Sequence, residues 1–140
     1  MNCVEKYKEA NDGRWPSNIV IFRDGMGSGK AVEANAEAIK VADAVEAAFT
    51  ADANADKEAG KGPKVTVLLV RTRHNTKFVE ASGAGCANPP AGTILDHTVT
   101  ERNWYDFYLI PMNVSQGTVT PTHFTVVHDD SSFTPDTMQK

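Results

Sequence analysis

Ile19-Val20-Ile21-Phe22-Arg23-Asp24-Gly25-Met26-Gly27-Ser28-Gly29 is the stretch that decides how this chain folds. An apolar run ends in a basic–acidic pair, and glycines follow. The pattern predicts a short buried strand over Asn18–Phe22, with Asp24 at its exit before a sharp turn. Its continuous apolar run suits a parallel sheet covered on both faces. A carboxylate held at such an exit by a rigid sheet can act as a metal ligand with little further ordering entropy.

On the N-terminal side, Val4–Ala10 reads as the end of a helix closed by Asn11-Asp12-Gly13, and Trp15-Pro16-Ser17 as a turn. On the C-terminal side, a helix is expected from about Ala31 to Phe49. Val32, Ile39, Ala42, Val45 and Phe49 recur at helical spacing and predict one apolar stripe. The many alanines favour the helix. Thr50–Ala59 and Gly60-Lys61-Gly62-Pro63 read as a fraying helix end and a loop. Val65–Val70 is the clearest strand, and helix–strand–helix–strand is an α/β pattern. Arg71–Val79 is polar and extended, and Ala81–Gly92 is a Gly/Ala/Pro loop. Thr93–Val99, Phe107–Met112 and Phe124–His128 read as further strands. Thr134-Pro135-Asp136 opens a helix, with Pro in the first turn and Thr134 as its cap. The sequence starts inside one helix and stops at the start of another, which predicts a piece cut from a larger protein.

With 140 residues and 41% hydrophobic content, the chain fits one globular domain or part of one. No run approaches the roughly 18 apolar residues of a membrane span, so no membrane partner is expected. Met1–Lys6 lacks the apolar core of a secretory signal. Cys3 and Cys86 form no metal-type spacing, and a reduced, cytosolic setting is the default. The net charge of −4 does not advertise nucleic-acid binding. Its distribution says more. Acid collects in Glu33, Glu37, Asp43, Glu46, Asp52 and Asp56, and base in Lys57, Lys61, Lys64, Arg71, Arg73 and Lys77. A basic strip can hold phosphate on an acidic protein, because salt screens charges beyond about 10 Å. Ordinary mixed surface charge gives the same composition.

The glycine-rich turn reads three ways. A phosphate loop needs Gly, four residues, Gly-Lys and Ser or Thr. Here Asp24 stands at the first glycine position and Ala31 at the hydroxyl position, which argues against nucleoside triphosphate binding. Gly25, Gly27 and Gly29 also miss the dinucleotide spacing. The third reading is a plain strand-to-helix turn, with Asp24 or Ser28 capping orphan amides.

Arg71-Thr72-Arg73-His74-Asn75-Thr76-Lys77-Phe78 leaves the end of the second strand. Alternation puts Arg71, Arg73 and Lys77 on a shared face. Guanidinium groups can clamp phosphate, and His74 and Asn75 add donors. The same residues also suit a solvated strand edge protected by charge. An open α/β sheet places ligands at the carboxyl ends of its strands, the edge this segment should share with Asp24. His97, His123 and His128 show no paired-ligand spacing and read as structural or surface residues. Asn113-Val114-Ser115 matches a glycosylation acceptor without a secretory signal to support it. Trp104, Tyr105, Phe107 and Tyr108 read as core, with base stacking a weaker option.

The ordered motifs resemble the second half of a PIWI domain of the Argonaute/PIWI family. They are Arg23-Asp24-Gly25, Arg73-His74-Asn75-Thr76-Lys77-Phe78, Asn88-Pro89-Pro90-Ala91-Gly92-Thr93 and Asp96-His97-Thr98-Val99-Thr100. Trp104-Tyr105-Asp106-Phe107-Tyr108-Leu109, Gln116-Gly117-Thr118-Val119-Thr120-Pro121-Thr122-His123 and Asp136-Thr137-Met138-Gln139 complete them. The Asn-Pro-Pro and Asp-His-Thr-Val-Thr wording leans toward the PIWI branch.

This resemblance implies an α/β, partial RNase H-like fold over residues 1–140: a mixed sheet flanked by helices and truncated at both ends. It implies a part of a small-RNA-guided silencing protein that binds guide RNA and complementary target RNA, in the cytoplasm and also the nucleus. Cleaving relatives use Mg2+ or Mn2+ held by an Asp-Glu-Asp-His set, and Asp24 matches the second aspartate. The other ligands should lie upstream of Met1 and downstream of Lys140, so the fragment alone should not cleave. By the same resemblance Arg73, His74 and Lys77 line the guide path, and Gln116, Thr118 and His123 belong to a loop near the bound strand. Lys30 stands where relatives often carry glutamine. A missing neighbour strand beside Asn18–Phe22 would expose an apolar edge, which predicts a homodimer of the fragment. A non-cleaving RNA-binding module and a small α/β nucleotide-binding domain are the alternatives.

Overall fold

The computed structural model describes residues 2–55, 62–83 and 85–139. Lys57 and Lys61 of the expected basic strip lie outside the described residues. Helix α1 (Asn2–Ala10) precedes strand β1 (Asn18–Asp24), and a 3-10 turn over Ser28–Lys30 leads into helix α2 (Ala31–Ala51). Strand β2 (Lys64–Arg71) follows, then the hairpin of β3 (Glu80–Ser82) and β4 (Gly85–Ala87). Strands β5 (Ile94–Leu95), β6 (Tyr105–Leu109) and β7 (Thr122–Asp129) and helix α3 (Pro135–Met138) complete the order.

The main sheet has five strands in the order β1-β2-β7-β6-β5. Strands β1 and β2 run parallel, with Asp24 opposite Val70. Strand β7 returns antiparallel, with Arg71 opposite His123, and β6 pairs with it, Tyr108 opposite His123. The carboxyl ends of β1, β2 and β6 and the start of β7 therefore meet at one end of the sheet. This placement gathers Asp24, the segment after Arg71 and the loop before Thr122.

Helix α2 covers one face of the sheet. Ala31, Ala34, Ala38 and Val45 pack on Val65, Val67, Leu69 and Val127, with Ile19, Ile21 and Ala42 alongside. The expected stripe is thus rotated. Val45 and Ala42 belong to it, but Val32 is 71% exposed and Ile39 44%. The contact is built on alanines because a smaller side chain lets the helix backbone approach the β-branched surface of β2 closely. On the opposite face Phe124 stacks on Phe107 at 5.1 Å, and Phe22 meets Phe124 edge-on at 6.4 Å.

Strand β2 is buried through its middle, as its run of Val and Leu implies. Strand β1 is not covered on both faces. It is the edge of the sheet, and Val20 and Phe22 are exposed on the side away from α2. The Ala81–Gly92 stretch contains part of the β3–β4 hairpin rather than loop alone, and the Thr93–Val99 strand contracts to Ile94–Leu95. Thr134 caps α3 by accepting from the Thr137 amide, with Pro135 in the first turn.

Candidate functional site

Asp24 ends β1, and Gly25 follows with φ +89°, a conformation that glycine adopts without a Cβ penalty. The chain turns there, and the Asp24 Oδ1 accepts the Gly25 amide at 2.7 Å. The carboxylate is exposed and does not cap α2, whose N-cap Lys30 makes no side-chain cap bond. Arg23 points to the other side of the strand, where its Nη2 pairs with Glu37 of α2 at 3.0 Å. Lys30 is exposed and pairs with Glu33.

A groove of about 320 Å³ opens at this end of the sheet, lined by Asp24, Gly25, Met26, Gly27, Arg71, Thr72 and Arg73. An acidic residue and two arginines thus line one groove, because β1 and β2 are parallel neighbours and stop together.

The segment after β2 alternates. His74, Thr76 and Phe78 turn inward, while Arg73, Asn75 and Lys77 are exposed. Its anchor is Tyr108 on β6, which meets Phe78 at 5.2 Å and His74 at 5.9 Å, both edge-on. Lys77 also donates to the Thr120 hydroxyl, tying the segment to the loop before β7. Gln116 and Thr118 are exposed on that loop. Asn88 holds the loop in shape: its amide donates to the Gly117 carbonyl at 2.8 Å, and its oxygen accepts the Val119 amide at 3.0 Å.

Two residues expected among the strand contacts sit elsewhere. His74 is half-buried, and both ring nitrogens are out of solvent without a hydrogen bond of normal geometry. Burial holds its pKa below the usual histidine range; the Pro121 carbonyl opposes that shift, and Arg71 adds to it. His123 is 1% exposed. Its Nε2 lies 2.6 Å from the Asp106 Oδ2, and its Nδ1 lies 2.8 Å from the Arg71 Nη2. A guanidinium only donates, so Nδ1 accepts and Nε2–H donates to Asp106.

Asp106 was absent from the candidate residues. It is 1% exposed, and its Oδ1 accepts the Glu101 amide at 2.8 Å. A signal existed: a carboxylate between Tyr105 and Phe107 in an apolar strand needs a buried partner.

Among the described residues no three or more His, Cys, Asp or Glu come together as a metal site. Asp24 fits one share of such a site. Its second oxygen has no hydrogen-bond partner among the described residues, and carboxylate oxygens suit hard cations such as Mg2+ and Mn2+.

The Piwi domain family matches the chain over residues 1–140. This chain belongs to that family. It is 38% identical over 140 residues to the Piwi-like protein Ago3 of Bombyx mori, covering 100% of this chain and 14% of that protein. The crystal structure of Drosophila Piwi superposes with a TM-score of 0.79 at 28% identity, over 99% of this chain and 18% of that one. Kluyveromyces polysporus Argonaute, solved with a guide RNA, gives 0.77 at 23% identity, over 99% of this chain and 16% of that one. The last likeness concerns the fold alone. The mixed sheet flanked by helices is the RNase H-like arrangement of these PIWI lobes. The chain spans 14% of the length of the Ago3 relative.

Proposed function

We propose that this chain is the part of a Piwi domain that lies along a guide RNA and its complementary target. The observation that carries this reading is the shared groove, which Asp24, Arg71 and Arg73 line at the carboxyl ends of two parallel strands. Arg73 and Lys77 are exposed on one side of an extended segment, where their charges can meet backbone phosphates. Gln116 and Thr118 add neutral donors from a loop that Asn88 holds in place. Contacts of this kind serve guides of many sequences, because phosphate and sugar carry no base identity.

In the full-length protein Asp24 contributes one carboxylate to a Mg2+ or Mn2+ site for target cleavage. Such a metal pair, when bound, activates water and stabilises the leaving oxygen. This chain's own share is to present the Asp24 oxygen on a rigid strand end and to neutralise phosphate beside it. The remaining ligands belong to other parts of the parent, so the isolated chain does not cleave. Two exposed free thiols, Cys3 and Cys86, suit the reducing cytoplasm or nucleus.

The test is Asp24→Ala in the full-length protein. Metal-dependent cleavage should be abolished while guide binding stays nearly intact; unchanged cleavage would refute the ligand role. A second reading is a non-cleaving RNA-binding module. A parent that binds guide RNA but never cuts, with Asp24 present, would establish it. The isolated chain should also pair through its β1 edge, where Phe22 is 64% exposed. Light scattering that shows a dilute monomer would count against that dimer.

A further inference from the structure

Arg71 sits between two environments. Arg71 lines the groove that Asp24 also lines, and its Nη2 is bound by the buried His123 ring. That ring is stacked on Tyr108 at 4.2 Å and fixed at its far nitrogen by Asp106. Asp106 is itself held by the Glu101 amide. We propose that Asp106 and His123 are positioning residues that aim the Arg71 guanidinium into the groove, where it holds a backbone phosphate oxygen of the bound RNA. This rests on the RNA-binding reading above.

The physical reason is preorganisation. A free arginine loses much rotamer freedom when it clamps a ligand. Here the bond to His123 takes that loss during folding, before RNA arrives. One bond from Nη2 leaves most of the guanidinium fork's donors uncommitted to His123. The chain of contacts also depends on proton placement. Asp106 only accepts, so it keeps the proton on Nε2 and leaves Nδ1 bare for Arg71. A donor in place of Asp106 would reverse this.

Asp106→Asn makes that change with almost no change of volume. The new amide N–H faces Nε2, the ring takes the other tautomer, and Nδ1–H opposes the Arg71 N–H. Two donors cannot bond, and the guanidinium is released. His123→Gln reaches the same end differently: it keeps a donor for Asp106 but offers Arg71 no acceptor.

The experiment measures affinity of the full-length protein for a single-stranded RNA across a salt series, with melting temperatures recorded for each variant. Arg71→Gln should weaken binding about tenfold and lower the salt slope by about 0.7, the share of one phosphate. Asp106→Asn and His123→Gln should reproduce that slope change although Arg71 is intact. Each combined with Arg71→Gln should add nothing further. A lower melting temperature with a wild-type slope in Asp106→Asn and His123→Gln would make the pair structural and overturn the proposal. So would an unchanged slope in Arg71→Gln, or loss of folding in both the Asp106 and His123 variants. A wild-type affinity indifferent to salt would instead overturn the RNA-binding reading itself.

Discussion

Ala38→Leu and Val32→Ala in α2 should change stability in an order opposite to residue hydrophobicity. Ala38 is 3% exposed and lies against the sheet, whereas Val32 is 71% exposed. Adding methylenes at a packed contact costs about 1–3 kcal/mol. An unfolding entropy of about 2.1 cal/mol/K per residue over 140 residues gives about 0.3 kcal/mol/K. Ala38→Leu should therefore lower Tm by about 3–10 °C. Full burial of a valine side chain is worth about 1.5–3 kcal/mol, so at 71% exposure less than about 1 kcal/mol is at stake. Alanine's helix propensity offsets about half a kcal/mol of that, and Val32→Ala should shift Tm by less than about 2 °C. Thermal melts followed by circular dichroism decide the matter. A large loss in Val32→Ala with tolerance of Ala38→Leu would mean that the Val32–Ile39 face meets the sheet, and the packing described here would be wrong.

Asp52 ties α1 to the end of α2. Lys8 above all, then the Asn54 amide and the Trp15 indole, hold its pKa down at about 2. The folded value lies below the ordinary one, so its stabilisation is complete above about pH 4 and is lost as pH falls through about 2. Asp52→Asn should be less stable than wild type at neutral pH, with the gap closing toward pH 2; a gap constant across that range would remove the assignment. Asn88→Ala should cost about 1–3 kcal/mol, because the Val119 amide loses its side-chain acceptor. Hydrogen exchange at Val119 should accelerate, and unchanged protection there would show that Asn88 does not hold the loop.

Much of the architecture was legible because it is local. The apolar run through Ile19–Phe22 ending at Asp24 and Gly25 is a strand and a turn in the structure, and the alanine-rich stretch after Lys30 is one long helix. Arg71, Arg73 and Lys77 were expected to share a face; Arg73 and Lys77 are exposed, whereas Arg71 is half-buried against His123. The ordered motifs carried the family, which the match over residues 1–140 shows. What the local pattern left open was sidedness. His74 follows Arg73 directly, and alternation sends neighbours to opposite sides, so one turned to Tyr108 as the other turned to solvent.

Period and composition alone determined the first two strands of the main sheet and the long helix between them, that Asp24 ends a strand before a turn, and that cationic residues follow the next strand. Only the tertiary structure decided that α2 meets the sheet through alanines and that His123 is spent on holding Arg71. A repeat along the chain defines which residues share a face, but not which face finds a partner. The Arg71–His123 contact spans 52 residues and exists only because β7 pairs with β2 in one register, past an irregularity between Val67 and Leu68. A slip of one residue would send His123 to the other side of the sheet.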